Sequence, residues 1–310
     1  MRTGVGELLT VGELTLDDVV LEGEGVDWQQ AGGGALYSAV GAFVWSDTVA
    51  VSSVVGRDYP VGLLDDLTAA GLDLRGVLRS PDTESIGLWL LYEADGVRRQ
   101  VEKSRGGTFA DVDRLRPPPS TVGLEPAGMH VAPQSSQGQL RALEHVSGRD
   151  VVRTLDLLIE PFIDRTQYTS GAVFRDIDAF LPSVQEVVDL WGHDDIRRLG
   201  QWLADRGCST SLTLKRGPEG VDVLLGNAVV RVPSVVENLV DPTGAGDAFC
   251  GGFLAGLVAT RDPLEAAVHG VVSASFVCET RGALAAIAHI DPDVAERRAA
   301  TARRALQEVP

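Results

Sequence analysis

The chain is poor in positive charge: only Lys103 and Lys215 of its 310 residues are lysine, and the formal net charge is −17. Nucleic-acid binding needs clustered lysine and arginine against phosphates, so that class of partner is not expected. Arg297-Arg298 and Arg303-Arg304 lie on what reads as a C-terminal amphipathic helix and belong to its solvated face. Cysteine is scarce too. Cys208, Cys250 and Cys278 are an odd count without metal-ligand spacing, which favours buried thiols over a disulfide or a zinc site. His130, His145, His193, His269 and His289 form no His-x-x-x-His or His-x-Glu pattern and read as structural or surface residues. No run approaches the roughly 18 uninterrupted apolar residues of a membrane span. Met1-Arg-Thr-Gly is not followed by a signal-peptide core, so no membrane partner and a cytoplasmic location are the expectations. A Gly-Lys dipeptide is missing, which excludes a Walker-type phosphate loop, and so are the His-Arg-Asp and Asp-Phe-Gly pairs of protein kinases.

With 44% hydrophobic residues the chain can bury a large core. Its most informative stretch is Asp241-Pro-Thr-Gly-Ala-Gly-Asp247, followed by a small-residue run in which Phe249, Phe253 and Leu257 recur every four residues. That period predicts a helix beginning near Ala245. The first turn of a helix carries unpaired N–H groups and the positive end of the macrodipole, and small residues let an anion approach them. Asp247 falls inside that turn, so a carboxylate stands beside the place where a phosphoryl group would lie. It could take a proton from a hydroxyl while backbone amides stabilise the transferring group. The plainer alternative is an acidic residue that complements the helix dipole, with glycines for packing.

Asp241-Pro-Thr-Gly-Ala-Gly-Asp247, in the last third of a chain of this length, resembles the C-terminal signature of the PfkB/ribokinase family of carbohydrate and nucleoside kinases. The resemblance implies a three-layer α/β fold, with a mostly parallel central sheet, helices on both faces and a small β-lid. It implies Asp247 as catalytic base and the backbone of Gly244, Ala245 and Gly246 as anion hole. Gly12 to Asp17 is similar to the family's Gly-x-x-x-x-Asp element, which makes Asp17 the carboxylate for a substrate hydroxyl. Ala31 to Ala42 resembles the N-terminal glycine signature, with Gly32, Gly33 and Gly34 close to the substrate. Tyr37 stands where the family usually has a substrate-binding Asn. Val54-Val-Gly-Arg-Asp58 matches a Gly-x-Asp turn that shapes the substrate end of the cleft.

The cofactors implied are ATP and Mg²⁺, with K⁺ as a further candidate. Ser183-Val-Gln-Glu186 occupies the place of the family's Asn-x-x-Glu, so Glu186 would organise magnesium through water; Ser183 followed by Glu186 is also a capping box, and one helix can serve both. Thr213, Lys215, Gly217 and Gly220, on a buried strand entering a glycine turn, are candidate nucleotide contacts together with Thr243. Asp241, Thr243, Val277, Thr280 and Gly282 match the segments with which family members hold a monovalent cation; an ordinary helix end at Gly282 is the alternative.

Strand-like Val49–Val55, 151–158 and 211–214 alternate with helical segments, the pattern of a parallel sheet covered on both faces. Residues 86–101 instead read as a hairpin around Asp95-Gly96. With about 13–29, the segment 86–105 would form the lid of a single 1–310 domain, excluding water or making a homodimer contact. Trp89, Arg99, Lys103 and Arg105 are the lid residues that could reach the substrate, and an exposed hairpin face is the simpler default. The expected activity is phosphorylation of a primary hydroxyl of a sugar or sugar derivative. A nucleoside acceptor is the nearest alternative, with Tyr37 and Trp89 stacking on the base, and a non-catalytic binding protein is the alternative from another class.

Overall fold

Apolar stretches with no exposed alternate residue become strands covered on both faces, and β1 (Leu8–Val11) and β4 (Val49–Val55) are buried along their whole length. In the computed structural model, which describes residues 6–23, 25–92, 98–103, 114–159 and 163–309, these two strands pair in parallel near one edge of the larger sheet. β5 (Asp73–Arg79) lies outside β4. On the other side follow β8 (Gly128–Val131), β9 (Val152–Leu155), β10 (Ala179–Phe180) and β11 (Ser211–Lys215), all parallel. β12 (Val221–Leu225), β13 (Ala228–Val232) and β14 (Gln307–Val309) continue that edge antiparallel.

Two apolar clusters sandwich the sheet. One holds α1 (Gly34–Phe43), α7 (Ala245–Thr260), α8 (Pro263–Cys278), α9 (Ala283–His289) and α10 (Pro292–Arg304), with Leu67 of α2 (Val61–Ala69). The other holds α3 (Ser136–Glu144), Tyr168 of the short α4 (Thr166–Thr169), α5 (Val184–Trp191) and α6 (Ile196–Ala204). α7 is buried from Ala248 to Leu257. Its glycines permit backbone contact: a β-carbon at Gly251 would stand 1.7 Å from the Ser38 carbonyl oxygen of α1. That close approach brings the N-termini of α1 and α7 together over the C-terminal edge of the sheet.

The second sheet has the order β3-β2-β6-β7, from β2 (Thr15–Leu21), β3 (Gly25–Gly32), β6 (Gly87–Tyr92) and β7 (Arg98–Lys103). β6 and β7 form the expected antiparallel hairpin; its Asp95-Gly96 turn, and Arg105, lie outside the described residues. A bulge between Asp17 and Val19 sets Gln29 at a φ of 50°, and the Gln29 N–H donates to Asp18 Oδ1 at 2.8 Å. All three cysteines are free and buried. Among the described residues no single helix is long and apolar enough to cross a membrane.

Candidate active site

The glycine turn is held by its own first residue. Asp241 Oδ1 accepts from the Thr243 N–H at 2.8 Å and from Thr243 Oγ1 at 2.6 Å, an Asx-type closure. The Val240 and Asp241 N–H groups donate to the Cys278 carbonyl at 2.8 and 3.0 Å, fixing the turn to the end of α8. Gly244 then takes a left-handed φ of 75° and α7 begins at Ala245. A β-carbon at Gly244 would stand 2.2 Å from Cγ of Tyr37. The tyrosine ring therefore lies directly against the turn. Burial, and next the charge of Asp17, push its phenol far above its ordinary range, so Tyr37 stays neutral. The Ala245 N–H closes on the Pro242 carbonyl at 3.1 Å, so of the three expected anion-hole residues this one already spends its donor inside the turn.

Two cavities meet here. One, of about 590 Å³, runs from Glu13, Thr15 and Asp17 past Gly33, Gly34 and Tyr37 to Gly244, Asp247, Glu186 and Lys215. The other, of about 490 Å³, is bounded by Gly217, Gly220, Ser234, Phe249, Val271 and Ala274. Lys215, Gly217, Pro242, Ala245 and Gly246 line both, whereas Asp247 lines the first alone. Asp247 Oδ1 would stand 3.0 Å from a β-carbon on Gly34, so the acid reaches across to the start of α1. Gly32 packs against the Asp17 carboxylate and does not itself line the cleft.

At the far end of the first cavity both readings of residues 183–186 coexist. The Ser183 N–H donates to Glu186 Oε2 at 2.6 Å and the Glu186 N–H to Ser183 Oγ at 3.3 Å, completing a capping box, while both residues line the cleft. Burial and then the charge of Asp156 push the Glu186 carboxyl up to about 7. Lys215 forms a buried ion pair with Asp156 and lies 3.8 Å from Cys250 Sγ. Burial opposes its charge, but Asp156 above all holds it protonated far beyond the ordinary lysine range. The carboxyl groups of Asp156 and Glu186 and the Lys215 ammonium therefore cluster at this end of the cleft, and hard oxygen donors of this kind suit magnesium. Asp156, at the end of β9, is a site residue that sequence reasoning passed over.

Several expectations change. Thr213 is fully buried in β11 and lines neither cavity, being two residues deeper in the sheet than Lys215. Of the cation set, Asp241, Thr243 and Gly282 border a cavity of about 210 Å³. Val277 and Thr280 do not: they bond to each other at the end of α8, with the Thr280 N–H donating to the Val277 carbonyl at 3.2 Å. Trp89 faces away from the cleft, edge-on to Trp28 at 5.7 Å and under the Lys103 ammonium at 4.7 Å, with Lys103 paired to Asp18. Arg99 pairs in register with Leu91, also outside the cleft lining. Among the described residues of the hairpin, those that line the cleft are Leu88, Leu90, Tyr92 and Gln100. Asp58 Oδ1 accepts from the Ser85 N–H at 2.7 Å and braces the base of the lid without lining the cleft.

The pattern that describes the pfkB family of carbohydrate kinases matches residues 11–289. The chain belongs to this family. A cytidine kinase of Thermococcus kodakarensis is 29% identical over 268 residues, covering 84% of this chain and 92% of that protein. Among solved structures, the Methanocaldococcus jannaschii nucleoside kinase, described as an archaeal member of the ribokinase family, superposes with a TM-score of 0.75 at 20% identity, covering 96% of this chain and 100% of that one. A putative ribokinase II of E. coli, in complex with ATP and Mg²⁺, gives 0.75 at 19% identity over 94% and 99%. The pfkB kinase fold is thus that of ribokinase-like proteins along nearly the whole chain.

Proposed function

We propose that this pfkB kinase transfers the γ-phosphoryl group of ATP to a primary hydroxyl of a nucleoside, with Asp247 as general base. The observation that carries this is the shared glycine turn: a phosphoryl group leaving the second cavity for the first must pass Ala245 and Gly246, and Asp247 stands only on the receiving side. The nucleotide would lie along Gly217 and Gly220, its terminal phosphate against Gly246 and the Lys215 ammonium. Backbone amides of the turn then stabilise the charge that develops on transfer. Glu186, with Asp156, would hold magnesium through water; bound there, magnesium neutralises phosphate charge. Asp17 and the Gly33-Gly34 backbone orient the acceptor, and Asp247 takes the hydroxyl proton as the oxygen attacks phosphorus.

A nucleoside is favoured over a free sugar because Leu88, Leu90 and Tyr92 give the lid an apolar inner wall opposite the polar floor, which suits a base above a ribose. Relatives that match most of the chain carry the names cytidine kinase and nucleoside kinase. The polar floor alone would serve a sugar, and that is the second reading. Asp241, Thr243 and Gly282 are the groups left to hold a monovalent cation such as K⁺. The test is turnover of ATP by the purified chain with magnesium against a panel of nucleosides and sugars. Nucleosides should be phosphorylated with the higher kcat/KM. Turnover of sugars alone would transfer the assignment to them, and tight binding without transfer would refute the kinase reading.

A further inference from the structure

The loop between β11 and β12 walls the cavity of about 490 Å³ assigned to the phosphoryl donor, through Gly217, Pro218 and Gly220. Its backbone closes on itself: the Arg216 N–H donates to the Gly220 carbonyl at 2.9 Å and the Gly220 N–H to the Gly217 carbonyl at 3.0 Å. Arg216 directly precedes Gly217, a place from which a guanidinium could grip a phosphate. It is turned the other way. Successive side chains on a strand point to opposite faces, so Val221 lines the donor cavity, Leu224 packs on the α5 and α6 side, and Asp222 lies on that far side as well. Asp222 is 1% exposed and gathers two arginines there. Arg216 Nε donates to Asp222 Oδ2, while Arg231, directly across on β13, donates from Nε to Oδ1 at 2.7 Å and from Nη2 to Oδ2 at 3.1 Å. Both guanidinia reach further. Arg231 Nη1 donates to Glu219 Oε2, inside the loop, at 2.6 Å. Arg216 Nη2 donates to the Asp194 carbonyl at 3.3 Å, which ties the loop to the segment between α5 and α6. Arg216, Glu219, Asp222 and Arg231 line neither of the two cavities.

We propose that Asp222 is a positioning residue for the phosphoryl donor, acting from the far face of the sheet. By holding Arg216 and Arg231 behind the loop, it sets the backbone of Gly217 to Gly220 in its binding shape before the nucleotide arrives and keeps both guanidinia away from the phosphates. A loop ordered in advance spares the nucleotide the cost of ordering it. A buried ion cluster adds little net stability over apolar residues of the same volume, so what this one contributes is a fixed geometry. The proposal rests on the assignment of the two cavities made above. Asp222→Asn keeps the size of the side chain and removes the charge that holds the two arginines, which leaves the nucleotide to order the loop.

The test is isothermal titration of the whole chain with ADP and magnesium, and separately with cytidine or fructose, whichever the native chain binds more tightly, with the unfolding temperature measured beside it. Asp222→Asn should weaken ADP at least about tenfold and leave the acceptor probe within about twofold of native. Arg216→Gln leaves both Asp222 oxygens paired with Arg231, so it keeps the fold if Asp222→Asn does not, and it should weaken ADP at least about threefold. The double variant should lose little more than Asp222→Asn alone, because the two side chains act through each other. A lowered unfolding temperature with native ADP affinity would make the cluster purely structural and overturn the proposal, as would an equal loss for ADP and the acceptor probe. Tighter ADP binding by Asp222→Asn would overturn it too, since the released Arg216 would then be gripping phosphate. Loss of the acceptor probe alone would overturn both the proposal and the assignment of the cavities. Weakened ADP in a chain that transfers no phosphoryl group would support the positioning role and refute the kinase reading.

Discussion

A single buried residue can couple the stability of the whole sheet to pH, and His130 is placed to do so. It sits wholly buried on β8 with Nδ1 2.9 Å from Thr154 Oγ1. Burial, and next the Lys215 charge, lower its pKa from 6.5 to about 3. In the unfolded chain the imidazole gains its proton near the ordinary value; in the folded chain it does not until far lower. Stability from this group is complete above pH 6.5 and is lost as the pH falls from there toward 3. Between pH 7 and pH 5 the native chain should therefore lose about 2 kcal/mol more than His130→Asn, measured by urea unfolding at both values. Equal losses would show that the folded imidazole titrates normally. Nothing in the sequence marked this histidine, because what distinguishes it is the depth of its strand.

Elements determine which residues of a legible motif reach the ligand. The glycine turn could be read directly, since small residues at a helix start have few uses, and α7 does begin at Ala245. The lid could not. Side chains on a strand alternate between faces, so one step of register decides whether Trp89 or its neighbours Leu88 and Leu90 meet the cleft, and that depends on pairing with β2, far away in sequence. The same limit hid Asp156 at the end of a buried strand, and set Thr213 too deep. Backbone carbonyls are less legible still: Val277 carries an oxygen of the right kind, but it sits within the end of α8, bonded to the Thr280 N–H, and does not border the small cavity. The turn itself yields a prediction. Gly244→Ala combines a left-handed φ with a β-carbon 2.2 Å from the Tyr37 ring. The left-handed backbone alone costs about 1 to 2 kcal/mol. Thermal unfolding should show at least that loss, and turnover should fall well beyond it because Gly246 and Asp247 shift together. A Gly244→Ala chain with normal stability and turnover would mean that the turn adopts another conformation.

At the scale of the whole molecule, the fold brings α1, α7, the lid and the strand ends to one edge, where two cavities share a single strip of backbone. Resemblance in the sequence covered nearly the full chain, and its fold class holds throughout. What remained for the structure was the arrangement inside the cleft: a polar floor from Glu13 to Asp17, an apolar lid face, and the cluster of Asp156, Lys215 and Glu186 away from that floor. All of these serve transfer only if Asp247 removes the acceptor proton. The decisive measurement is kcat of Asp247→Asn on the identified acceptor, with nucleotide affinity and unfolding temperature measured beside it. Turnover should fall by roughly 10²- to 10⁴-fold while nucleotide binding and stability stay near native values. A variant that turned over at close to the native rate would contradict the assignment of Asp247 as the base.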